Sequence, residues 1–297
     1  MVQVMDSRRK AEKLQGALGF DFFYSTLFSG RWPILREALL KPAVYARLCM
    51  GGEPYFLDPG SVCAALCLPL SGAFSVLDMC AAPGGKTLVL ASCLEHGATL
   101  VSNERSAVRR NRLSSVIKNV LPSMVQEHVA LRGYNGALWC RHEQKCFDRI
   151  MLDAPCSSER HVLGDGNFIS QWSPARVKSL AMEQWALLSS SWRLLVPGGF
   201  LLYATCALSY AENDGVVERL LKKNDDAACC SRCVLGDAFF KNHDLFVSRY
   251  GSLPSDPPVA AVFGKAEQTR YGLHILPDTA FGAGPLYFSL IQKTTQA

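Results

Sequence analysis

Residues 74–87, FSVLDMCAAPGGKT, decide the fold prediction, because they join an apolar strand to a helix through a glycine turn. We predict a strand over 74–79 and a helix over 84–95. Glycines in such a turn let the backbone approach a nucleotide-like ligand closely. A phosphate-binding P-loop would need a glycine five positions before Gly85, where this chain has Cys80. The G-x-G-x-x-G pattern of dinucleotide sites is also missing.

The pattern of strand followed by helix continues along the chain. We predict further strands over 98–103, 128–132, 148–153 and 200–205, with helices over 104–119, 174–195 and 210–223. Apolar strands that alternate with helices indicate a parallel sheet covered on both faces. We expect a helical N-terminal extension over residues 1–55 and a main domain over 56–297. The tail from residue 224 favours long loops that end in a hairpin formed by 273–277 and 285–291.

Composition restricts the class of protein. The chain has 297 residues, of which 49% are hydrophobic, enough for a sizeable core, and its net charge of +5 permits a nucleic-acid partner without requiring one. No apolar run has membrane-spanning length, so we expect a soluble protein in a reducing compartment. The basic start MVQVMDSRRKAEK contains Asp6 and Glu12. It is therefore a poor match to a transit peptide, although a cleaved mitochondrial one stays open.

The twelve cysteines do not follow the spacing of a disulfide framework. Cys229, Cys230 and Cys233 include one C-x-x-C pair, and Cys63 and Cys67 lie in an apolar, helical stretch. No second pair stands at the spacing of a zinc ribbon, so we predict no metal site.

Two other cysteines each close a predicted strand. DRIMLDAPC (148–156) ends at Cys156, and GGFLLYATC (198–206) ends at Cys206. Chemistry in an open parallel sheet gathers at the carboxyl ends of the strands, so neighbouring strands would deliver both thiols to one crevice. A thiol is the strongest ordinary side-chain nucleophile. The alternative is that both are small buried apolar residues, as free cysteines often are.

Two polar residues follow the next strands of the predicted sheet. Glu104 ends the second strand, where a carboxylate suits a ribose diol. Asn135 follows the third strand, where an amide could bind an adenine edge. A glycine turn, an acid and an amide in this order suit S-adenosylmethionine. The alternative is a generic turn with exposed polar residues.

Three motifs carry a resemblance to a known family. LDMCAAPGGKT (77–87), LDAPCSSERH (152–161) and LLYATCALSYAEND (201–214) resemble the Sun-type RNA (cytosine-5) methyltransferases, relatives of RsmB and the NSUN proteins. The resemblance covers roughly residues 55–290. Residues 20–40 and 273–293 are similar to the mitochondrial rRNA-methylating branch. This resemblance implies a Rossmann-like class I methyltransferase fold, with a mostly parallel seven-stranded sheet, helices on both faces and a small helical N-terminal extension.

The resemblance also implies the site residues. Cys206 would be the nucleophile and Cys156 would help to release the product. The implied cofactor contacts are Cys80, Ala81, Ala82, Pro83, Gly84, Gly85, Lys86, Glu104, Asn135 and Asp153. The family usually has Asp at the positions of Glu104 and Asn135, so here the acid reaches further and the amide carries no charge.

The chemistry of cytosine suggests roles for two more residues. Attack on carbon-6 is easier when ring nitrogen-3 is protonated or hydrogen-bonded, and Asp153 stands at a strand end where it could do this. Lys86 could orient Asp153, or it could be a lysine that faces solvent after a turn. We expect the catalytic residues to be Cys206, Cys156, Asp153 and Lys86, the cofactor to be S-adenosylmethionine, and the reaction to methylate cytosine carbon-5.

An unpaired base leaves its stack most easily, so we expect looped or single-stranded RNA as the target, rRNA first and tRNA second. Phe168 and Trp172 could stack on RNA or pack in the core. The basic segment ERSAVRRNR (104–112) could contact phosphates or form a solvated helix face. We expect a monomer without membrane contact, aided by a helper protein if RNA selection requires one. The expected compartment is the cytoplasm in a bacterium, with the mitochondrial matrix as the alternative.

Two other functions remain open. A catalytically silent, RNA-binding ribosome-assembly factor could keep the fold, but a pure binder needs neither thiol. A Rossmann-like methyltransferase of small molecules or amines is a third candidate, and amine methylation needs no nucleophilic cysteine.

Overall fold

The protein is represented by a computed structural model that describes residues 15–295. The basic start considered as a transit peptide lies in residues 1–14, outside the described residues. Eleven strands are present in the described part, and they are β1 (Ala46–Leu48), β2 (Tyr55–Leu57), β3 (Ser75–Asp78), β4 (Thr99–Asn103), β5 (Val129–Arg132), β6 (Phe147–Asp153), β7 (Leu195–Thr205), β8 (Ala227–Cys229), β9 (Glu267–Gln268), β10 (Leu273–Ile275) and β11 (Leu286–Lys293).

The helices cover both faces of the central sheet. They are α1 (Gly16–Phe28), α2 (Trp32–Leu40), α3 (Pro59–Leu66), α4 (Gly85–Ser92), α5 (Ala107–Val120), α6 (Ser123–Gln126), α7 (Gly136–Trp139), α8 (Glu159–Gly164), α9 (Gly166–Ser170), α10 (Pro174–Leu194), α11 (Asp214–Leu221), α12 (Arg232–Tyr250) and α13 (Val259–Gly264). One apolar cluster, which includes Leu88, Leu113 and Phe239, fills one face. A second cluster, which includes Leu152, Leu187 and Trp192, fills the other.

The central sheet confirms the predicted parallel core. Its strands lie in the order β5-β4-β3-β6-β7-β11-β10-β9, and β8 pairs with β11. Strands β3 to β7 all run parallel to one another. Strand β11 pairs antiparallel with both β7 and β10. The predicted closing hairpin is therefore confirmed.

The predicted count of seven strands is wrong, since the described residues place nine strands in this sheet. The two extra strands are β8 and β9, which have three and two residues. Segments of this length show no periodicity of their own. They become strands because β11 and β10 offer unpaired backbone groups beside them.

The prediction of long loops after residue 224 is also wrong, because α12 runs for 19 residues there. Its buried residues Leu235, Ala238, Phe239 and Phe246 recur at helical spacing, and Leu235, Phe239 and Phe246 pack into the first core cluster. The Asp-, Cys- and Pro-rich sequence on either side hid this stripe.

The N-terminal extension is helical only as far as Leu40. Residues 46–57 then form a small antiparallel hairpin of β1 and β2, in place of the helix predicted to residue 55. Helices α1 and α2 attach to the main domain through an aromatic cluster in which Phe20 and Tyr24 pack against Trp32 and Trp172. None of the helices in residues 15–295 has the length and hydropathy to cross a membrane.

A paired substitution tests whether α12 belongs to the core. Phe239 is fully buried and stacks on Phe263 with 4.3 Å between ring centroids, whereas its neighbour Phe240 is 51% exposed. We predict that Phe239→Ala lowers the free energy of unfolding by about 3–5 kcal/mol. Phe240→Ala should cost less than about 1 kcal/mol. Urea unfolding followed by circular dichroism measures both, and equal losses would contradict the assignment of α12 to the core.

Candidate active site

Two thiols meet at the carboxyl ends of β6 and β7. These strands pair in parallel with Asp153 opposite Ala204, so the loops that follow them leave the sheet side by side. The Sγ atoms of Cys156 and Cys206 lie 2.9 Å apart. The sequence prediction that neighbouring strands bring both thiols into one crevice agrees with this geometry. The hydrogen bond with Cys206, together with burial, raises the pKa of Cys156 well above its usual value.

Ser158 contacts both sulfurs, and the sequence analysis did not single it out. Its Oγ lies 3.2 Å from Cys206 Sγ and 3.6 Å from Cys156 Sγ. Its backbone is left-handed, with φ 54° and ψ 58°, a conformation that a non-glycine residue adopts only at a cost. This turn directs the hydroxyl toward the sulfurs. The only signal in the sequence was a second hydroxyl residue in Cys-Ser-Ser.

Lys86 and Asp153 form a half-buried ion pair next to the thiols. Lys86 Nζ donates to Asp153 Oδ2 at 2.6 Å and to Ser61 Oγ at 3.1 Å. Burial, the largest single influence, lowers the pKa of Lys86, but the charge and the hydrogen bond of Asp153, together with smaller contributions from Cys206 and Asp78, raise that pKa overall. Of the two readings of Lys86, the structure therefore fits the one that orients Asp153, since only 9% of Lys86 is exposed.

A cleft of about 660 Å³ opens at the same edge of the sheet, and Pro155, the neighbour of Cys156 in the chain, lines it. Three of the predicted cofactor residues line it, namely Cys80, Glu104 and Asn135. Glu104 is buried and accepts from the backbone N–H of Ser106 at 2.8 Å, and Arg109 Nη1 lies 3.3 Å from its other oxygen. The cleft thus presents a fixed carboxylate and an amide to a ligand.

The glycine turn lines a smaller space of about 40 Å³, which shares Cys80 with the large cleft. Its other walls include Ala81, Ala82, Pro83, Gly85, Lys86 and Asp153. A Cβ on Gly85 would come within 2.6 Å of Leu57, and one on Gly84 within 3.0 Å of Val116. The two glycines are therefore required for packing of the turn, and close approach of a ligand to this turn stays a prediction.

Asp78 is a further polar residue at the small space. Its Oδ2 accepts from Thr87 Oγ1 at 2.7 Å, while its buried Oδ1 has no partner. Burial, more than any other influence, raises the pKa of Asp78 to about 7. A buried acceptor without a donor is available to a ligand that carries one.

The structure separates the two aromatic residues proposed for RNA stacking. Trp172 is 1% exposed and packs edge-on against Phe20, so it belongs to the core. Phe168 is 45% exposed and lies against His161.

In the basic segment, Arg109 also donates to the carbonyl of Ala82 at 2.7 Å, so it stabilises the glycine turn.

No group of three or more histidine, cysteine, aspartate or glutamate side chains converges as metal ligands within residues 15–295. The twelve cysteines are all free thiols, and Cys63 and Cys67 are fully buried in the core.

Comparison with known families decides the classification. The family profile described as 16S rRNA methyltransferase RsmB/F matches residues 65–248, which contain all four predicted catalytic residues. The chain belongs to the RsmB/F family. The resemblance drawn from the three motifs is therefore confirmed.

Named relatives of this RsmB/F member come from animals and bacteria. The chain is 35% identical over 240 residues to the 5-cytosine rRNA methyltransferase NSUN4 of Xenopus laevis, with 80% of this chain and 55% of the relative covered. It is 37% identical over 223 residues to the ribosomal RNA small subunit methyltransferase F of Serratia proteamaculans, with 66% and 45% covered. The chain spans about half the length of the curated relatives that it matches.

The solved structures support the fold. A methyltransferase homologue from Pyrococcus horikoshii superposes with a TM-score of 0.67 at 17% identity, and the match covers 98% of this chain and 99% of that one. A Rossmann-like methyltransferase fold is thereby confirmed for this RsmB/F member.

The position of Ser158 leads to a prediction about thiol reactivity. We predict that Ser158→Ala slows alkylation of Cys206 by iodoacetamide about tenfold, because a hydrogen bond to a charged group contributes roughly 1.5 kcal/mol. Peptide mass spectrometry after timed exposure gives the rate. Ser158→Gly also lacks the hydroxyl but tolerates the left-handed backbone, so it should be slowed equally. A Gly variant that reacts like the unaltered protein would show that the backbone, and not the hydroxyl, matters.

Proposed function

We propose that this protein is an RNA (cytosine-5) methyltransferase that acts on rRNA and uses S-adenosylmethionine. The observation that carries the proposal is the approach of Cys156 and Cys206 Sγ to 2.9 Å, at the edge of the sheet where the cleft opens. Methylation of cytosine carbon-5 needs one thiol to activate the ring and a base to release it, whereas most methyl transfers need neither. Membership of the RsmB/F family supports the same reaction.

The residues of the two cavities fit S-adenosylmethionine. Glu104 offers a buried carboxylate to the ribose hydroxyls, and Asn135 offers an amide to the adenine edge. Asp78 Oδ1, the unpartnered acceptor at the small space, suits the cationic amino group of the methionine moiety. The turn residues Cys80 to Lys86, with Asp153, complete the proposed contacts. When bound, S-adenosylmethionine supplies the methyl group.

Cys206 would activate the base. Its thiolate forms a bond to carbon-6 of cytosine, and the electron pair of the broken double bond makes carbon-5 nucleophilic. Asp153 would first take up a proton from solvent and then donate it, or a hydrogen bond, to ring nitrogen-3, and Lys86 stabilises the carboxylate that remains. Ser158 donates to the thiolate before the attack.

Cys156 would release the product. While Cys206 is unbound, the hydrogen bond between the two sulfurs keeps the proton on Cys156. Bonding of Cys206 to carbon-6 removes the charge that favours this state, so Cys156 can lose its proton to solvent and act as a base. It then takes the carbon-5 proton, the bond between carbon-6 and Cys206 breaks, and Cys206 leaves as a thiolate.

The target RNA must present an unstacked cytosine to this crevice. Exposed Phe168, close after Cys156 in the chain, is available to stack on it. rRNA is the proposed substrate because the family and both named relatives carry that description. Four further points stay predictions, namely tRNA as a second substrate, a helper protein, the monomeric state and the bacterial or mitochondrial compartment. The division at residue 55, with RNA or partner contact by residues 1–55, is also a prediction.

The silent RNA-binding assembly factor is the second candidate. It would need the RNA surface but neither thiol, so the contact of Ser158 with both sulfurs would have no purpose. The methyltransferase of amines is disfavoured for the same reason.

Trapping of RNA on the protein tests the proposed chemistry. We predict that Cys156→Ala, incubated with substrate RNA and S-adenosylmethionine, accumulates a complex that survives denaturing electrophoresis, because the adduct on Cys206 forms but cannot be resolved. The double variant Cys156→Ala/Cys206→Ala should form none. Cys146→Ala removes a half-buried thiol elsewhere and should behave like the unaltered protein. If Cys206→Ala still methylates RNA, the assignment of Cys206 as the nucleophile is wrong. If neither the unaltered protein nor any of the variants methylates RNA, the assembly factor is favoured.

Substitution of Glu104 tests the cofactor site. We predict that Glu104→Ala weakens S-adenosylmethionine binding at least about tenfold, since a buried hydrogen-bonding carboxylate is lost. Isothermal titration calorimetry measures the dissociation constant. Glu53→Ala, on the exposed turn between β1 and β2, is the control and should leave it unchanged. Equal affinities for all three proteins would reject the ribose contact.

A further inference from the structure

Two buried glutamates lie beneath the thiol pair, and the mechanism above uses neither. Glu159 begins α8, three residues after Cys156, and Glu212 lies six residues after Cys206. Both side chains are fully buried. Ser157 Oγ touches both carboxyl groups, with Glu212 Oε2 at 2.6 Å and Glu159 Oε1 on its other side. Two carboxyls this close in a dry interior cannot both be ionised without strong repulsion.

The two carboxyl groups differ in the donors that surround them. Glu212 Oε1 accepts from the Ser157 backbone N–H at 2.9 Å and from Gln184 Nε2 at 3.0 Å. Glu212 Oε2 is in hydrogen-bond contact with the hydroxyls of Ser157 and Ser209, the latter at 3.0 Å. N–H groups can only donate, whereas hydroxyls can also accept. Two fixed donors therefore face Glu212, whereas Glu159 has one, from the Leu208 backbone N–H.

Counting hydrogens places one proton on the pair. Ser157 Oγ contacts Glu212 Oε2 and Glu159 Oε1 but has only one hydroxyl hydrogen. One of the two contacts therefore needs a hydrogen from a carboxyl group, and the raised pKa of Glu159 places it on Glu159 Oε1. Tyr24 donates to the same oxygen, and Glu159 Oε2 accepts from the Leu208 backbone N–H at 3.1 Å. A chain of hydrogen bonds thus runs from Tyr24 through Glu159 and Ser157 to Glu212.

This chain connects the loops that carry the thiols. Ser157 follows Cys156 directly and is bound to Glu212 of the other loop through both its backbone and its hydroxyl. Leu208 lies two residues after Cys206 and is bound to Glu159 of the first loop. Each loop therefore contributes one carboxyl that holds the other loop. No hydrogen bond joins either glutamate to a sulfur, so the pair acts on the thiols through the two loops, and the charge of Glu159 in addition raises the pKa of Cys156.

We infer that Glu159 and Glu212 are positioning residues that share one proton and fix the Cys156 loop against the Cys206 loop, and that loss of this proton loosens the two thiols. The inference rests on the proposed function for its consequence in catalysis, but the shared proton itself does not.

Glu159 loses this proton within the pH range of ordinary assays. Burial first, and then the charge of Glu212, raises the pKa of Glu159 to about 7. The other titratable groups that face the pair are Tyr24 from α1, Tyr203 from β7 and Cys156. Burial raises the pKa of both tyrosines, and the hydrogen bond with Cys206 and burial raise that of Cys156. These three groups stay neutral while Glu159 titrates.

Two conservative substitutions distinguish the carboxyls. In Glu159→Gln the amide nitrogen can donate to Ser157 and the oxygen can accept from Leu208 without a titratable proton, while the contact with Tyr24 reverses, with the amide donating to the phenol oxygen. In Glu212→Gln an amide nitrogen replaces the oxygen that contacts the hydroxyls of Ser157 and Ser209, so the acceptor that holds the Ser157 hydroxyl is lost. A merely structural role would not separate two Glu→Gln changes that remove the same atoms.

The first experiment compares single-turnover methylation rates across pH. We expect the ratio of Glu159→Gln to unaltered protein to rise about tenfold between pH 6 and pH 8, because the protonated fraction of a group of pKa 7 falls by that factor. Deprotonation of Glu159 also raises the pKa of Cys156, which keeps the proton on this thiol in the unaltered protein and changes the ratio in the same direction. Glu212→Gln should be at least about tenfold slower than Glu159→Gln at every pH. A constant ratio, or equal rates for the two variants, would overturn the inference.

The second experiment needs neither RNA nor cofactor, so it fails separately from the proposed function. A carboxyl with a raised pKa binds more proton in the folded state, so stability falls as pH rises from the unfolded value near 4.5 to about 7. Urea unfolding should show this decline more steeply in unaltered protein than in Glu159→Gln. Asp78 contributes equally to both and drops out of the difference. Parallel curves would overturn the shared proton, even if Glu212→Gln fails to fold.

Discussion

Strands β6 and β7 run parallel and end next to each other, so whatever follows one strand must lie against whatever follows the other. This constraint brings Cys156 and Cys206 together from positions fifty residues apart in sequence. The backbone pairing fixes the strands only as far as Asp153 and Thr205. Beyond these residues, the positions of the two sulfur atoms depend on side chains in the two loops, chiefly Ser157, Ser158 and the two glutamates.

The site is built from buried polar groups, which are costly unless each finds a partner. Lys86 with Asp153 and Glu159 with Glu212 satisfy this condition within the protein. Asp78 does not, because its Oδ1 is left without a donor. Buried ion pairs add little to stability compared with apolar packing. Their presence at the strand ends is better explained by chemistry at this edge of the sheet than by the needs of the fold.

The sequence predicted the parts of the molecule that depend on local pattern. The five parallel strands, the closing hairpin and the meeting of Cys156 with Cys206 all follow from apolar runs and strand ends. Helix α12 was missed because its buried stripe lies within a polar and proline-rich tail. The packing role of Gly84 and Gly85 was not visible in the sequence because the residues that a Cβ would meet, Val116 and Leu57, come from other elements. The proton shared by the glutamates depends on burial, which no single residue in the sequence reveals.

The central claim is that Cys206 bonds to the base while Cys156 waits to resolve the adduct. RNA that carries 5-fluorocytidine tests it most directly in the unaltered protein, because fluorine at carbon-5 cannot be removed as a proton and the adduct persists. Digestion and mass spectrometry would then locate the modified cysteine. The account predicts the nucleotide on the peptide that contains Cys206. A nucleotide on Cys156, or no adduct from a protein that methylates ordinary RNA, would contradict it.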